Sequence, residues 1–300
     1  MSAKRCALCG QTRELELSHI VPKFVIRYLK KTSLGAIRNK ENINKVVQDG
    51  EKHYLLCGDC EDLFSIYETK FANKFFYPYM KDNVKEFSYD SDLYYFLISV
   101  SWRSLYLDIL DFVEHSEEVG IDLQILNCLI EKERGMRDYL LKIQPNVNGI
   151  ENHILFFEDI KSISNELVST RPHTTFHRSV TSYTFFYKTL KTYATLTNMM
   201  GIILFTLYNK GENERWENTE ITNGVGLIKA EKQIIESACA DELMLILKSA
   251  EKDATKISEK QQELINKKLK DRPEEFIKSK VFEDLKKDFE LKKDDIDKKN

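Results

Sequence analysis

Two stretches decide how this chain folds: CALCGQTRELELSHIVP at residues 6–22 and HYLLCGDCED at residues 53–62. Each carries a Cys-x-x-Cys pair, Cys6 with Cys9 and Cys57 with Cys60. A Cys-x-x-Cys turn offers two thiolates from one tight loop, and two such turns complete the tetrahedron that Zn2+ prefers. Gly10 after the first pair and Gly58 inside the second suit knuckles whose backbone amides turn toward the sulfurs. One structural zinc ion held by all four cysteines is therefore expected. The other two cysteines, Cys128 and Cys239, lie in apolar stretches and read as core residues.

Around these pairs, ELELS (14–18) alternates as a short strand does, and Pro22 suits the opening of a helix over KFVIRYLKK. HYLL (53–56) reads as a second strand, with a helix from about Asp59. Along 59–76, Leu63, Tyr67, Phe71 and Phe75 recur every four residues with Ile66 alongside, which gives that helix one apolar face. The order is strand, long connection, strand, helix.

Tyr-Pro-Tyr at 77–79 and the polar run from Lys81 mark the end of this first unit, dividing the chain into 1–80, 81–250 and 251–300. Residues 91–115 and 120–143 carry helical apolar spacing. Trp102 and Arg103 in the first of these read as core rather than as a platform for bases. HILFF (153–157), TSYTFFYKTL (181–190) and ATLTNMMGIILFTLYN (194–209) are rich in Thr, aromatic and branched residues, which favour strands. RPHTTFHR (171–178) also reads as extended, so His173 and His177 present no shared metal face. From residue 252 onward fifteen Lys or Arg mix with thirteen Asp or Glu, the pattern of a solvated helix. The class is α+β: an N-terminal, zinc-stabilised, treble-clef-like ββα-metal module, then a mainly helical region with a small antiparallel sheet.

The start, MSAKRCALCG, holds no apolar signal segment, and the best spanning candidate, LYYFLISVSWRSLYLDIL (93–110), contains Arg103 and Asp108. A cytoplasmic protein without membrane contact is expected, where six cysteines serve metal or thiol chemistry rather than disulfides. A net charge of −3 excludes a uniformly cationic coat for nucleic acid. Residues 1–48 nonetheless hold ten Lys or Arg against three Glu, a local excess of seven positive charges. Lys23, Arg27, Lys30 and Lys31 fall at i, i+4, i+7 and i+8 of the helix after Pro22, a stripe able to follow a phosphate backbone. Arg38, Lys40 and Lys45 in the long connection extend it.

The first Cys pair, the strand end Ser18-His19-Ile20 before Pro22, and LLCGDCE with a helix downstream resemble the zinc-bearing HNH endonuclease superfamily over residues 6–76. The resemblance implies that His19 is the general base that activates water, while one divalent ion, Mg2+ or Mn2+, lies against the scissile phosphate. The family usually carries Asp or His at the position of Ser18, and Asn or His at the position of Glu61. Glu61 is itself a hard-metal ligand, so the implied cation site draws on Glu61 with Ser18, His53 or Asp62, and with Glu68 further along the helix. The activity implied is that of a metal-dependent nuclease for DNA, with RNA as the other substrate. A regulatory protein subunit and a role in antiphage defence are implied by analogy, and the oligomeric state is open. The alternative is a catalytically inactive zinc module that binds nucleic acid or protein, if no metal shell forms beside His19.

Overall fold

The computed structural model describes residues 4–33, 37–38, 42–157 and 170–299. Two strands, β1 (Leu15–His19) and β2 (Lys52–Cys57), pair antiparallel, with Leu15 opposite Cys57 and His19 opposite Lys52. Between them α1 (Lys23–Thr32) begins directly after Pro22 and buries Val25, Ile26, Tyr28 and Leu29. The helix α2 (Gly58–Phe71) grows straight out of β2, with Asp59 and Glu61 in its first turn, where the helix dipole favours carboxylates. A π-helical turn at Ala72–Phe76 carries it into α3 (Tyr77–Asp82).

The expected apolar face is present: Phe71 and Phe75 are buried and Leu63 and Tyr67 pack against the core, while Ile66 alone is exposed. Phe64, also buried, turns toward Trp102 and Tyr95 of the next long helix and widens the stripe beyond the four-residue repeat.

That long helix, α4 (Ser91–Glu114), is the centre of the molecule. Every residue from Leu93 to Leu105 is buried, so apolar side chains cover all sides of the helix, with Ser99, Ser101, Arg103 and Ser104 buried among them. It packs against α2, against α5 (Leu123–Leu140), and against one face of a four-stranded antiparallel sheet. The sheet strands are β3 (Glu151–Phe156), β4 (Val180–Tyr187), β5 (Thr192–Met199) and β6 (Ile202–Asn209), in the spatial order β3, β6, β5, β4. No helix among the described residues is long and apolar enough to cross a membrane. The architecture is α+β with small antiparallel sheets. One apolar cluster joins Val21, Val25 and Phe76 to Phe96, Ile154 and Met199, so the core runs without a break across residue 80.

The polar seam between α4 and the sheet is closed by hydroxyls and one acid. Ser101 bonds Thr206 at 2.8 Å, and Asp108 Oδ2 accepts the Thr184 backbone N–H at 2.6 Å. Two expectations change further along. RPHTTFHR forms a short helix, Pro172–His177, rather than an extended run. The C-terminal helix, Lys280–Lys299, is not wholly solvated, because Asp284 and Asp288 are buried against that short helix. Asp288 accepts the His173 and Thr174 N–H groups at 2.8 and 2.9 Å, and Asp284 pairs with His177 and Arg178. Asp288 thereby satisfies a helix N-terminus that the local sequence leaves without a capping side chain.

Burial pushes the Asp108 carboxyl up to about 7, against the lowering effect of the Thr184 hydrogen bonds. Because this lies above the value near 3.9 of an unfolded Asp, the native state holds an extra proton between those limits. Stability should fall as pH rises from about 4 to about 7 and level off above. Urea unfolding across that range should show the slope, and Asp108→Asn, which keeps an acceptor for Thr184, should remove it and raise the midpoint at pH 8.

Candidate functional site

The four cysteines meet where the N-terminal knuckle packs on the β2–α2 junction. Their Sγ atoms all lie within 4.8 Å of one another, with Cys9 and Cys57 at 3.8 Å. A tetrahedron with Zn–S bonds of about 2.3 Å has sulfur–sulfur edges of about 3.8 Å, so the cluster has the size a zinc ion requires. The knuckle is shaped for it: Gly10 takes φ +73°, its N–H returns to Cys6 O at 2.9 Å, and the Cys57 N–H donates to Cys6 Sγ at 3.3 Å. Cys6, Cys57 and Cys60 are buried and Cys9 is half-buried. A hydrogen bond from Cys60 lowers the pKa of the Cys6 thiol, and the same contact, with burial, raises that of Cys60. These residues can hold a metal such as zinc, and no other cluster of His, Cys, Asp and Glu among the described residues has such geometry. Cys239 is fully buried as expected, whereas Cys128 is only half-buried.

Glu61, next in the chain to Cys60, opens onto a cleft of about 490 Å³ between the end of β1, the first half of α1 and the length of α2. Leu17, His19, Lys23, Phe24 and Arg27 form one wall, and Glu61, Ser65, Glu68, Asn73 and Tyr77 the other. His19 is there because β1 ends on it: its strand neighbour Leu17 shares the face, while Ser18 points the opposite way. Ser18 is 1% exposed and its Oγ accepts the Leu56 N–H at 3.3 Å, so it does not reach the cleft. His53, paired with Ser18 across the hairpin, is exposed and contacts Glu51 at 2.8 Å, also outside the cleft. Asp62 is exposed and is likewise not a wall residue. Glu61 does face the cleft, and its Oε1 is buried without a hydrogen-bond partner.

Two residues of the site go beyond what the sequence pattern predicts. Asp49 Oδ2 lies 3.2 Å from His19 Nε2 and 3.1 Å from Lys52 Nζ. Burial opposes ionisation of Asp49, but the Lys52 ammonium, the Gly50 N–H and His19 together hold its carboxyl down at about 2. Gly50 lets the connection pass this closely, since a Cβ there would sit 2.9 Å from Ile26 Cγ1. The second is Arg103, which is 1% exposed. Its guanidinium donates to His19 O at 2.7 Å, to Glu68 Oε1 at 2.8 Å and to Ser99 O at 3.2 Å. One buried cation on α4 thereby ties the end of β1 to α2. An isolated Asp in a turn carries no sequence signal, but an Arg inside an apolar helix does, because a buried charge demands partners.

Of the basic stripe, Lys23 and Arg27 line the cleft, and Lys30 and Lys31 continue the exposed side of α1 beyond it. Arg38 does not join them. It donates to Ile43 O at 2.9 Å and to Gln261 Oε1 at 3.1 Å, anchoring the connection to a C-terminal helix. Lys45 is exposed, and Lys40 lies outside the described residues. No protein-family model, curated protein or solved structure matches the chain.

Structural zinc predicts a stoichiometric result. Purified protein should carry about one zinc per chain by elemental analysis, and Cys57→Ser should lose it together with several degrees of thermal stability. A Cys57→Ser protein with full zinc content would rule the cluster out.

Proposed function

We propose that this protein is a metal-dependent, HNH-like endonuclease that hydrolyses phosphodiester bonds in DNA, with His19 as general base. The observation that carries the reading is the cleft itself. It joins an imidazole backed by a carboxylate, a buried Glu61 oxygen without a partner, and two cations, Lys23 and Arg27. Each suits one requirement of phosphodiester hydrolysis.

Asp49 stands 3.2 Å from Nε2, so we assign Nδ1 of His19 as the acceptor. A water poised there gives its proton to His19 as its oxygen bonds to phosphorus, and the bond to the departing ester oxygen breaks. Lys23 and Arg27 hold the flanking phosphates. A hard divalent cation supplies Lewis-acid relief of the charge that develops on the phosphate and leaving oxygen. Such a cation is commonly held by one or two carboxylates together with waters and substrate phosphates. Glu61, whose Oε1 is buried at the cleft without a partner, offers one such carboxylate, whereas Ser18 and His53 do not contribute. Arg103 keeps one oxygen of Glu68 occupied and fixes the carbonyl of His19, so the two walls of the cleft keep their spacing.

Burial of Ser18 favours a second reading, in which the module binds nucleic acid without cutting it, because one ligand of the usual metal shell is missing. Activity separates the two. With Mg2+ or Mn2+ added, wild type should cut oligonucleotide DNA, and His19→Ala should lose about 10²- to 10⁴-fold in rate with zinc content unchanged. Asp49→Asn should lose less, since it retains an oxygen toward His19. Equal rates for wild type and His19→Ala would remove His19 from the chemistry, and inactivity of both would leave the binding reading.

A further inference from the structure

We infer that the cleft takes a single strand of nucleic acid rather than an intact duplex, an inference that rests on the phosphodiesterase reading of the same site. The wall residues on α2 and beyond run from Glu61 through Ser65, Glu68, Thr69 and Asn73 to Tyr77, all on one side of the helix. At about 1.5 Å per residue that groove is roughly 24 Å long. Its two ends differ in chemistry. Glu61 opens α2, whereas Asn73 and Tyr77 lie past its end, where the Phe24 ring meets Tyr77, and His19, Lys23 and Arg27 line the opposite wall.

Depth decides the form of the substrate. The His19 side chain is only 14% exposed, and Glu61 Oε1 is buried. A reacting phosphate must therefore descend into a cavity of about 490 Å³, within the size range of small-molecule sites. A stacked, paired strand enters such a cavity only after local unstacking, which a single strand does not require. The aromatic end supplies what replaces the lost stacking. Phe24 and Tyr77, 6.3 Å apart, stand beside Arg27 and Lys23, and the Lys81 ammonium lies 4.3 Å from the Tyr77 centroid. Aromatic rings interleaved with cations along a groove bind single strands with little sequence preference, because every base has a π-face and every nucleotide a phosphate.

The test uses the full chain and a fluorescein-labelled 20-nucleotide DNA, alone and as a duplex, with anisotropy read at fixed salt and no added divalent cation. The single strand should bind about tenfold more tightly than the duplex. Tyr77→Leu, which keeps apolar bulk but removes the ring, should weaken single-strand binding about tenfold and leave duplex binding nearly unchanged. Tyr77→Phe should bind as wild type does. Duplex binding equal to or tighter than single-strand binding overturns the inference. So does unchanged single-strand binding by a Tyr77→Leu protein whose circular dichroism matches wild type.

A cleavage arm with Mn2+ keeps the two readings apart. A duplex with a central unpaired bubble should be cut within the bubble. Equal cutting of the paired flanks overturns the single-strand inference and leaves the nuclease standing. No cutting of any substrate by wild type overturns the nuclease, and the anisotropy preference then decides the single-strand inference by itself.

Discussion

Four sulfur atoms lie within 4.8 Å of one another where the first turn of α2 meets the knuckle at Cys6–Gln11, and a metal ion such as zinc held there would tie the two together. A two-stranded hairpin is marginal by itself in water, and β1 with β2 has no third strand among the described residues. The metal-sized cysteine cluster closes one end of the hairpin. The buried ring of Phe64 and the side chains of Leu56 and Leu8 pack beside it on Trp102 and Ile98 of α4. The N-terminal unit thus depends on two anchors of different kind, a cluster of thiols and a helix contributed by the following part of the chain.

Arg103 is where those two anchors meet the cleft. A guanidinium buried to this degree would be costly without acceptors, and here each of its three nitrogens has one. Two of the three acceptors belong to the walls that carry His19 and Glu61. The spacing between the candidate base and the candidate metal ligand is therefore set from outside the ββα unit. Near the chain's end, Asp284 and Asp288 play a similar part. Asp288 reaches from the C-terminal helix to cap Pro172–His177, and Asp284 meets Arg178, which donates to Thr32 O at the end of α1.

Several elements are legible because their signal is local. The two Cys-x-x-Cys turns, the alternation in ELELS, the helix after Pro22 and the Thr- and Ile-rich strands of the sheet all appear in the structure where their patterns lie. RPHTTFHR departs from its extended pattern because its six-residue helix is too short for periodicity to show, and its N–H groups are satisfied by an acid more than a hundred residues away. Arg38 has the composition of a phosphate-binding cation, yet its partners, Ile43 O and Gln261, emerge only when the C-terminal helix is placed beside the connection. Ser18 and His53 lie close to His19 along the hairpin, which makes them candidates for a shared metal. The pleat sends neighbours to opposite faces and separates them from it.

The sequence by itself determined the α+β character, the four cysteines, the placing of His19 at a strand end, and the basic side of α1, since each depends on spacing along one segment. Tertiary structure alone decided that Glu61 shares a cleft with His19 while Ser18 does not, that Asp49 backs the imidazole, and that Arg103 braces both walls. These are contacts between segments as much as 84 residues apart. Such contacts are selected by burial and by the need of every buried charge for a partner, and no periodicity along the chain encodes that pairing.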